Sequence, residues 1–359
     1  MENKRTCLYD EHVKLGALIS PFGGFDMPIQ YTSIQEEHEA VRNHCGVFDV
    51  SHMGEVTVSG KDAERWVNHI FTNDVTAAPL YKIFYGMMCY ENGGTVDDLL
   101  VYKMGGNQFF IVINAANIDK DWSWMQQHKD GFDIELENRS EDYGQLAVQG
   151  PDSEKVIADV LGLDGSDLVF YTVKTIGNII LSRTGYTGED GFEIYADHPT
   201  IVNYWQKLMS CGCCKPCGLG CRDTLRFEVG LPLYGDELSA DISPVMAGLS
   251  MFCKLDKPEF IGKDALVKQK AEGVDKKLVG IELHDKAIPR HGYPVLKDGQ
   301  IVGEVTTGYH TLSSDRSVCM ALVNAEFSKL GTPLDVQIRK KVFSGEVVKK
   351  KFYDKHYKK

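Results

Sequence analysis

The sequence of 359 residues lacks any long apolar run. No stretch approaches the roughly 18 consecutive apolar residues that a membrane-spanning helix needs, so we expect no membrane partner. The first residues, Met1 to Arg5, show neither the apolar core of a signal peptide nor the Arg- and Ser-rich pattern of a transit segment. We therefore expect a cytoplasmic protein.

The ten cysteines do not form the evenly spaced framework of a disulfide-stapled protein. Because the sequence carries no export signal, we interpret them as reduced thiols. Five of them are crowded together, at Cys211, Cys213, Cys214, Cys217 and Cys221. Such crowding is compatible with a thiolate metal site, but the segment has a single Cys-x2-Cys pair and the chain has no distant second pair. We therefore expect no metal.

The sequence also lacks the positive charge of a general nucleic-acid binder, because its net charge is −12. The charge is uneven, however, and Arg339–Lys359 carries nine Lys or Arg residues against two acids. This basic stretch is either a solvated tail or a surface that attracts an anionic ligand or an acidic partner. The charges alone favour the solvated tail.

Apolar periodicity and turn residues predict an α+β chain that ends in a small all-β barrel. Ser33 and Glu36 form a capping box at the start of a helix, and Asn92-Gly93 predicts a hairpin between strands 82–90 and 95–103. The composition changes near Gly273, so we predict one region over residues 1–273 and a barrel domain over residues 274–359. The strands predicted for the barrel are 277–283, 300–307, 317–324, 334–343 and 346–352.

Two adjacent carboxylates, Asp97 and Asp98, lie in the second strand of the predicted hairpin. Because side chains alternate along a strand, the two carboxylates point to opposite faces, and both faces carry apolar neighbours. A carboxylate beside an apolar core tends to have a raised pKa unless it is paired, and such groups are often functional. A structural Asp that caps the nearby Gly93-Gly94 turn explains the pattern equally well.

The segment from Ser182 to Glu193 is glycine-rich and carries three acids and Tyr186. Its spacing matches neither a dinucleotide fingerprint nor a phosphate loop. The composition suits an aromatic wall with carboxylates that face a polar ring. Glycine density alone is also typical of an ordinary structural turn, so both interpretations stand.

Arg222 and Arg226 are one helical turn apart in a predicted helix and share a face. They are placed to anchor an anion through charge-assisted hydrogen bonds. Local salt bridges with Asp223 or Glu228 explain the pair equally well.

Eight motifs occur in order along the chain and carry a family resemblance. They are Phe22–Pro28, Val47–Glu55, Gly93–Asp98, Gly185–Glu193, Gly218–Asp223, Phe260–Lys263, Gly292–Val295 and Gly303–Thr306. The series resembles the T protein of the glycine cleavage system, an aminomethyltransferase family, across essentially the whole chain. The resemblance implies a three-domain, cloverleaf-like α+β fold, with two interleaved α+β domains before the barrel and tetrahydrofolate at its centre.

The resemblance also implies roles for individual residues. Asp98 matches the family's essential aspartate beside the folate N5 and N10 atoms, and Asp97 is then expected to be structural. The positions that match folate-binding residues are Glu193 (on the pterin), Arg222, Tyr186, Tyr85, Asn114, Met53 and Tyr357. Tetrahydrofolate is expected as a co-substrate, and the reaction needs no metal. The chain departs from the family pattern at Cys221, where alanine is common, which leaves the assigned chemistry untouched.

The implied reaction takes the aminomethyl group held on the lipoyl arm of H protein. Its methylene carbon passes to tetrahydrofolate, and ammonia is released. The expected partners are therefore lipoylated H protein and folate. Both a polyglutamylated folate and an acidic partner are anionic, so the resemblance strengthens the functional interpretation of the basic stretch.

Two other functions stay open at this point. The first is a folate-dependent demethylase on the same fold that acts on a small methylated amine or sulfur compound. The second is a folate-binding factor for iron–sulfur maintenance. Members of that second group carry a Lys-Gly-Cys-Tyr loop where this chain has Arg183-Thr184-Gly185-Tyr186, which disfavours it.

Overall fold

The structure is a computed structural model that describes residues 2–76 and 78–358. Helices and strands are mixed along the N-terminal part of the chain, and strands dominate the C-terminal part. The α-helices in these ranges are α1 (Tyr9–Lys14), α2 (Ile34–Asn43), α3 (Ala63–Ile70), α4 (Ile118–Gln127), α5 (Ser153–Val156), α6 (His198–Cys211), α7 (Leu219–Glu228) and α8 (Lys263–Glu272). None of these helices is both long enough and apolar enough to cross a membrane.

Two large sheets and a small ribbon contain the N-terminal strands. The ribbon pairs β1 (Leu18–Phe22) with β2 (Phe25–Gln30). The first large sheet has the order β10 (Val173–Ile176), β11 (Ile179–Ser182), β12 (Gly191–Ala196), β9 (Gly144–Gln149), β3 (Gly46–Asp49) and β13 (Lys215–Pro216). The second has the order β5 (Ile83–Cys89), β6 (Thr95–Gly105), β7 (Gln108–Ile113), β4 (Gly54–Ser59) and β8 (Glu135–Asn138).

The C-terminal strands close into a barrel, which confirms the predicted all-β end of an α+β chain. The strand order is β14 (Lys276–Leu283), β17 (Ser317–Asn324), β16 (Gln300–His310), β15 (Pro294–Lys297), β18 (Pro333–Ile338) and β19 (Lys341–Val348). Within the described residues the barrel thus has six strands, where the sequence predicts five, and the strand that the sequence misses is β15. The bounds of the last two strands also differ from the prediction, since β18 and β19 replace the strands predicted over 334–343 and 346–352. Arg339 adopts a left-handed φ of 57° and turns the chain, so the single strand predicted over 334–343 is divided.

The boundary predicted between residues 273 and 274 lies in the short connection between α8 and β14. Gly273 directly follows the last residue of α8, and its φ of 93° suits glycine at the end of a helix. The division of the chain into domains at this point stays a prediction.

Local signals in the sequence account for several element boundaries. The backbone N–H of Glu36 donates a 3.2 Å hydrogen bond to the Ser33 hydroxyl, which confirms the Ser33 half of the predicted capping box of α2. The Glu36 side chain accepts a 2.9 Å hydrogen bond from Lys215, and not one from the backbone of Ser33 as predicted. The predicted hairpin is also present, because β5 and β6 pair antiparallel around a turn in which Gly93 has a φ of 87°. The register places Met87 opposite Asp98 and Tyr85 opposite Leu100 on one face of this sheet.

Helices cover the outer face of each large sheet. Trp66 of α3 and Trp124 of α4 pack on Leu99 and Val101 of β6, and Trp205 of α6 packs on the first sheet. These contacts bury large apolar side chains, each of which stabilises the fold by about 1.5–3 kcal/mol. Each sheet is thereby left with one face that is free to contact the other sheet.

The two large sheets pack on each other through these remaining faces. The rings of Tyr102 and Phe110 in the second sheet make T-shaped contacts with Tyr195 in the first, at centroid distances of 5.9 and 5.2 Å. The hydroxyl oxygens of Tyr102 and Tyr195 are 2.8 Å apart. Residues on the facing sides of β6 and β12 are therefore brought together although they are far apart in sequence.

Candidate active site

A cavity of about 830 Å³ opens between the facing sheets, α7 and the C-terminal tail. The eight side chains singled out by the family resemblance come from separate parts of the chain, yet all of them line this one cavity. They are Met53, Tyr85, Asp98, Asn114, Tyr186, Glu193, Arg222 and Tyr357. The roles assigned to these residues stay predictions, but their convergence gives those roles a common location.

Strand alternation in β6 separates the two adjacent carboxylates. Asp97 is fully buried on the face covered by α3 and α4, whereas Asp98 is half-buried in the cavity wall. Asp97 does not cap the Gly93-Gly94 turn, so that interpretation was wrong. The side chain of Asn92 does so instead, because it accepts a 2.9 Å hydrogen bond from the Gly94 N–H.

Two donors hold the carboxylate of Asp98. The Tyr85 hydroxyl donates to Oδ2 at 2.9 Å, and the Asn114 side-chain amide donates to Oδ1 at 3.0 Å. Burial and the negative charge of Asp97 raise the pKa of Asp98 to about 7, although both donors oppose this shift. A carboxyl group with a pKa near neutrality is suited to take up and return a proton during turnover.

Glu193 of β12 supplies a second carboxylate at another part of the cavity wall. It accepts hydrogen bonds from the Thr184 hydroxyl at 2.5 Å and from the Gln145 amide at 3.2 Å. Burial raises the pKa of Glu193, and these donors oppose the shift. Part of the glycine-rich segment therefore lines the cavity, through Gly185, Tyr186 and Glu193, and its role in binding stays a prediction.

Three buried polar atoms in residues that line the cavity have no hydrogen-bond partner among the described residues. They are Nη1 of Arg222, Oε1 of Gln145 and Nδ1 of His52. Buried polar atoms are nearly always paired in native proteins. With Glu193, they offer donors and acceptors in the wall of this cavity. The Arg222 guanidinium lies 4.9 Å from the ring of Tyr186. This arrangement suits a flat polar ring such as a pterin.

Arg222 and Arg226 make different contacts although they share a face of α7. Arg226 forms salt bridges with Asp223 at 2.7 Å and Glu237 at 2.8 Å. For this residue, the predicted alternative of a local salt bridge with Asp223 is therefore confirmed. Arg222 lines the cavity, and burial lowers its pKa while the charge of Glu193 opposes that shift. Of the pair, Arg222 is the one placed to bind a ligand.

The C-terminal tail closes one side of the cavity. The ring of Tyr357 stacks on Phe170 with centroids 3.8 Å apart, and the backbone N–H of His356 donates to the Gly188 carbonyl. The cavity is also lined by lysines of the basic stretch, namely Lys349, Lys350, Lys351 and Lys355. The predicted basic stretch is therefore not simply a solvated tail, because part of it borders the cavity.

Sequence reasoning missed several side chains that complete the site. Gln145 and Thr184 hold Glu193, and Phe170 supports Tyr357. Gln145 carried a signal, since it is a polar residue in the apolar strand β9 directly opposite Tyr195. Phe170 lies in a connecting segment, and its pattern in the sequence gives no such signal.

The interpretation of all cysteines as reduced thiols was wrong for one pair. Cys211 and Cys213 are joined by a disulfide at the end of α6, while the other eight cysteines are free. Over residues 2–76 and 78–358, no group of three or more His, Cys, Asp or Glu side chains is arranged to hold a metal ion.

Comparison with known proteins places this arrangement in a family. The model of the GCVT N-terminal domain matches residues 8–257, and that of the glycine cleavage T-protein C-terminal barrel domain matches residues 276–354. The chain is 49% identical to the aminomethyltransferase of Alkaliphilus oremlandii over all of both chains. It is 48% identical to that of Lysinibacillus sphaericus over 98% of each chain.

A solved structure agrees with these sequence matches. It is the glycine cleavage system aminomethyltransferase T of Bartonella henselae, which superposes with a TM-score of 0.95 at 30% identity and with 99% of each chain covered. The fold and the site thus define an enzyme that transfers a one-carbon unit. The chain belongs to the glycine cleavage T-protein family. The relatives favour this function over the demethylase and the iron–sulfur factor.

Proposed function

We propose that this aminomethyltransferase of the glycine cleavage system uses Asp98 as its catalytic carboxyl group. The proposed substrates are tetrahydrofolate, bound in the cavity, and the aminomethyl group on the lipoyl arm of H protein. The products are then 5,10-methylenetetrahydrofolate, ammonia and the dihydrolipoyl H protein. The observation that carries the proposal is the position of Asp98 in the cavity wall, between Tyr85 and Asn114, with a pKa of about 7.

The polar end of the cavity supports folate as the bound substrate. Nη1 of Arg222, which has no partner in the described part of the chain, offers a donor, while Glu193 and Oε1 of Gln145 offer acceptors in the same wall. A pterin ring carries both kinds of group along its edge and has two flat faces. Tyr186, with the Arg222 guanidinium near its ring, supplies an aromatic surface against which such a face can pack.

Asp98 then acts on the amine nitrogens that accept the methylene carbon. In its ionised form it accepts a proton from the attacking nitrogen and stabilises the positive charge that develops there. Asp98 can then give this proton up again, because with a pKa of about 7 both its protonated and its ionised form are populated near neutral pH. The donors Tyr85 and Asn114 fix the direction of the carboxylate oxygens, so little reorganisation is needed during the reaction.

The cavity also favours transfer by holding two substrates together. Many of the side chains that line the cavity are aromatic or apolar. Orientation of two reactants in one site contributes strongly to rate. The lysines at the border of the cavity suit the anionic glutamate tail of folate or an acidic surface of H protein.

The test is formation of methylenetetrahydrofolate from aminomethylated H protein by Asp98→Asn. The substitution keeps the size of the side chain but removes its charge, so turnover should fall by about 10²–10³-fold. Tetrahydrofolate affinity, measured by titration calorimetry, should change much less because Glu193 and Arg222 share the binding. An Asp98→Asn variant with normal turnover would refute the proposed role.

A further inference from the structure

A closed ring of buried side chains starts and ends at the Glu193 carboxylate. The Thr184 hydroxyl donates to Oε2 of Glu193 at 2.5 Å, and the Gln145 amide donates to Oε1 at 3.2 Å. Each member of the ring is at most 5% exposed. In order, the members are Glu193, Thr184, Ser182, Tyr102, Tyr195 and Gln145. One network thus holds both oxygens of the carboxylate.

Strand pairing explains how the ring is assembled. Glu193 and Tyr195 lie two residues apart on β12, so they share a face, and β9 places Gln145 directly opposite Tyr195. On the other side of β12, β11 places Ser182 opposite Glu193. Tyr102 comes from β6 of the second sheet and closes the ring. The ring therefore links the two sheets behind the cavity.

The ionised carboxylate of Glu193 sets the direction of donation in one half of the ring. A carboxylate only accepts, so the single hydroxyl hydrogen of Thr184 points to Glu193. The hydroxyl oxygens of Thr184 and Ser182 are 2.7 Å apart, and the hydrogen between them must then come from Ser182. Ser182 in turn accepts from the Tyr102 hydroxyl at 3.4 Å, which is the longest link of the ring.

The other half of the ring begins at the Gln145 amide. Its nitrogen faces the accepting carboxylate of Glu193 and also donates to the Tyr195 hydroxyl at 3.1 Å. Tyr195 then donates to Tyr102 at 2.8 Å, since only this direction gives every hydroxyl hydrogen of the ring an acceptor among the described residues. All the hydroxyls therefore donate in one direction, and such hydrogen bonds polarise and strengthen one another.

The surroundings of Glu193 favour its ionised form. Burial raises the pKa of Glu193, whereas the hydrogen bond from Thr184, followed by the charge of Arg222 and the hydrogen bond from Gln145, lowers it. Arg222 of α7 is the cation that acts on Glu193 among the described residues. Burial raises the pKa of the neighbouring tyrosines, which therefore stay neutral. They are Tyr102 of β6, Tyr195 of β12 and Tyr171 of the segment before β10.

Half of the ring lies behind the cavity wall. Thr184, Ser182 and Tyr102 are not among the described residues that line the cavity, whereas the Glu193 carboxylate is part of its wall. We propose that these three are positioning residues for folate binding, whose hydroxyl chain holds the Glu193 carboxylate oriented as an acceptor for the bound pterin. The inference rests on the proposed binding of tetrahydrofolate at Glu193. Each of the three residues acts only through Glu193.

The experiment compares the tetrahydrofolate affinity of Thr184→Val and Thr184→Ser, measured by titration calorimetry at several pH values around neutrality. Valine has nearly the size of threonine but no hydroxyl, so the Glu193 carboxylate loses a donor and its pKa should rise. We expect affinity at neutral pH to fall by about tenfold, the scale of a lost hydrogen bond to a charged group. Because binding uses the ionised carboxylate, the loss of affinity at falling pH should begin at a higher pH. Serine keeps the hydroxyl and should restore both properties.

Tyr102→Phe tests the far end of the hydroxyl chain. The phenyl ring can keep the T-shaped contacts of Tyr102 with Phe110 and Tyr195, so a residue with only a packing role would leave affinity unchanged. Loss of the hydroxyl removes the donor to Ser182. We therefore expect affinity to fall by about threefold, the lower end for one hydrogen bond, with a pH dependence that moves in the same direction as in Thr184→Val. This variant also decides the question if Thr184→Val does not fold.

Thr175→Val and Tyr81→Phe make the same changes at exposed positions and are the matched controls. Two outcomes would overturn the inference. One is a Tyr102→Phe variant that binds tetrahydrofolate as tightly as the wild type at every pH. The other is a Thr184→Ser variant that binds as weakly as Thr184→Val, since the lost hydroxyl would then not explain the effect. Glu193→Gln, measured in parallel, separates these failures from failure of the proposed function, because only the latter leaves the affinity of that variant unchanged.

Discussion

The hydroxyl of Tyr85 donates a 2.9 Å hydrogen bond to Oδ2 of Asp98 across the β5–β6 hairpin. The two residues are diagonal neighbours on the same face, since Tyr85 is opposite Leu100 and Asp98 is opposite Met87. The bond favours the ionised carboxylate and therefore lowers the pKa of Asp98, against burial and the charge of Asp97, which raise it. Tyr85 thus lowers the pH at which the proposed catalytic group loses its proton.

Tyr85→Phe should raise the pKa of Asp98 because the ionised form loses a donor. The acid limb of the turnover profile should then move to higher pH by about one pH unit, the equivalent of one hydrogen bond to a charged group. The measurement is methylenetetrahydrofolate formation between pH 5.5 and about 8.5, a range around the pKa near 7. Tyr81→Phe, an exposed tyrosine outside the cavity, is the control. An unchanged or lowered acid limb in Tyr85→Phe would contradict the assignment.

Glu193→Gln and Arg222→Ala should each weaken tetrahydrofolate binding by about 1–3 kcal/mol, the scale of a lost charged hydrogen bond. The reason is that both side chains face the polar end of the cavity, where Nη1 of Arg222 has no partner among the described residues. Titration calorimetry measures the change, with the exposed Glu141→Gln as the control. Unchanged affinity in both cavity variants would place folate elsewhere.

The paired substitutions Lys349→Glu and Lys351→Glu should slow the reaction with H protein. Both lysines are exposed at the border of the cavity, whereas the Lys350 ammonium donates to the Ala247 carbonyl and is left intact. Loss of electrostatic steering should lower kcat/KM for H protein by about tenfold at low salt and by less at high salt. The charge-matched control reverses Lys340 and Lys341 in the β18–β19 turn, outside the cavity. A loss that is independent of salt would indicate damage to the fold.

Asp121→Asn should change how the free energy of unfolding depends on pH. The folded pKa of Asp121, about 10, lies above its value of about 3.9 in the unfolded chain, so the folded state binds the extra proton between these limits. The stability that this extra proton contributes is fully present below the pKa of the unfolded chain, and it is lost as pH rises toward the pKa of the folded protein. Between pH 5 and about 8, the free energy of unfolding of the wild type should therefore fall by about 1 kcal/mol for each unit of rising pH, relative to that of Asp121→Asn.

Urea unfolding at several pH values measures this difference, and Asp119→Asn serves as the control because its side chain is exposed. The curves of free energy against pH for the wild type and Asp119→Asn should be parallel. Parallel curves for the wild type and Asp121→Asn would show that Asp121 does not hold a proton in the folded protein.

Much of the fold was predictable because its signals are local. A helix cap needs only the Ser33 hydroxyl and the backbone N–H of Glu36, and a hairpin turn needs only the geometry of Asn92 and Gly93. The missed barrel strand β15 is short, at Pro294–Lys297, and only pairing with β16 and β18 stabilises it as a strand. A four-residue segment carries too little periodicity to be recognised without those partners.

The candidate site was partly predictable through the family motifs, which singled out eight residues that all line one cavity. The motifs did not reveal the residues that hold these eight side chains in position. Gln145 contacts Glu193, and Phe170 stacks on Tyr357, only because the first sheet and the C-terminal tail are brought together in space. The same holds for the disulfide between Cys211 and Cys213, which depends on how the chain turns after α6.

The sequence by itself determined that Asp97 and Asp98 point to opposite faces of β6, because alternation is a property of any extended chain. Only the tertiary structure decided which face became the cavity. The faces of the two large sheets that carry Tyr102 and Tyr195 pack together, while α3 and α4 cover the other side of β6. That packing leaves Asp98 in the cavity wall and buries Asp97, whose carboxylate accepts hydrogen bonds from Asn114 and Asn117. The raised pKa values of Asp98 and Asp121 follow from this packing, since burial and neighbouring charge exist only once the sheets and helices have assembled.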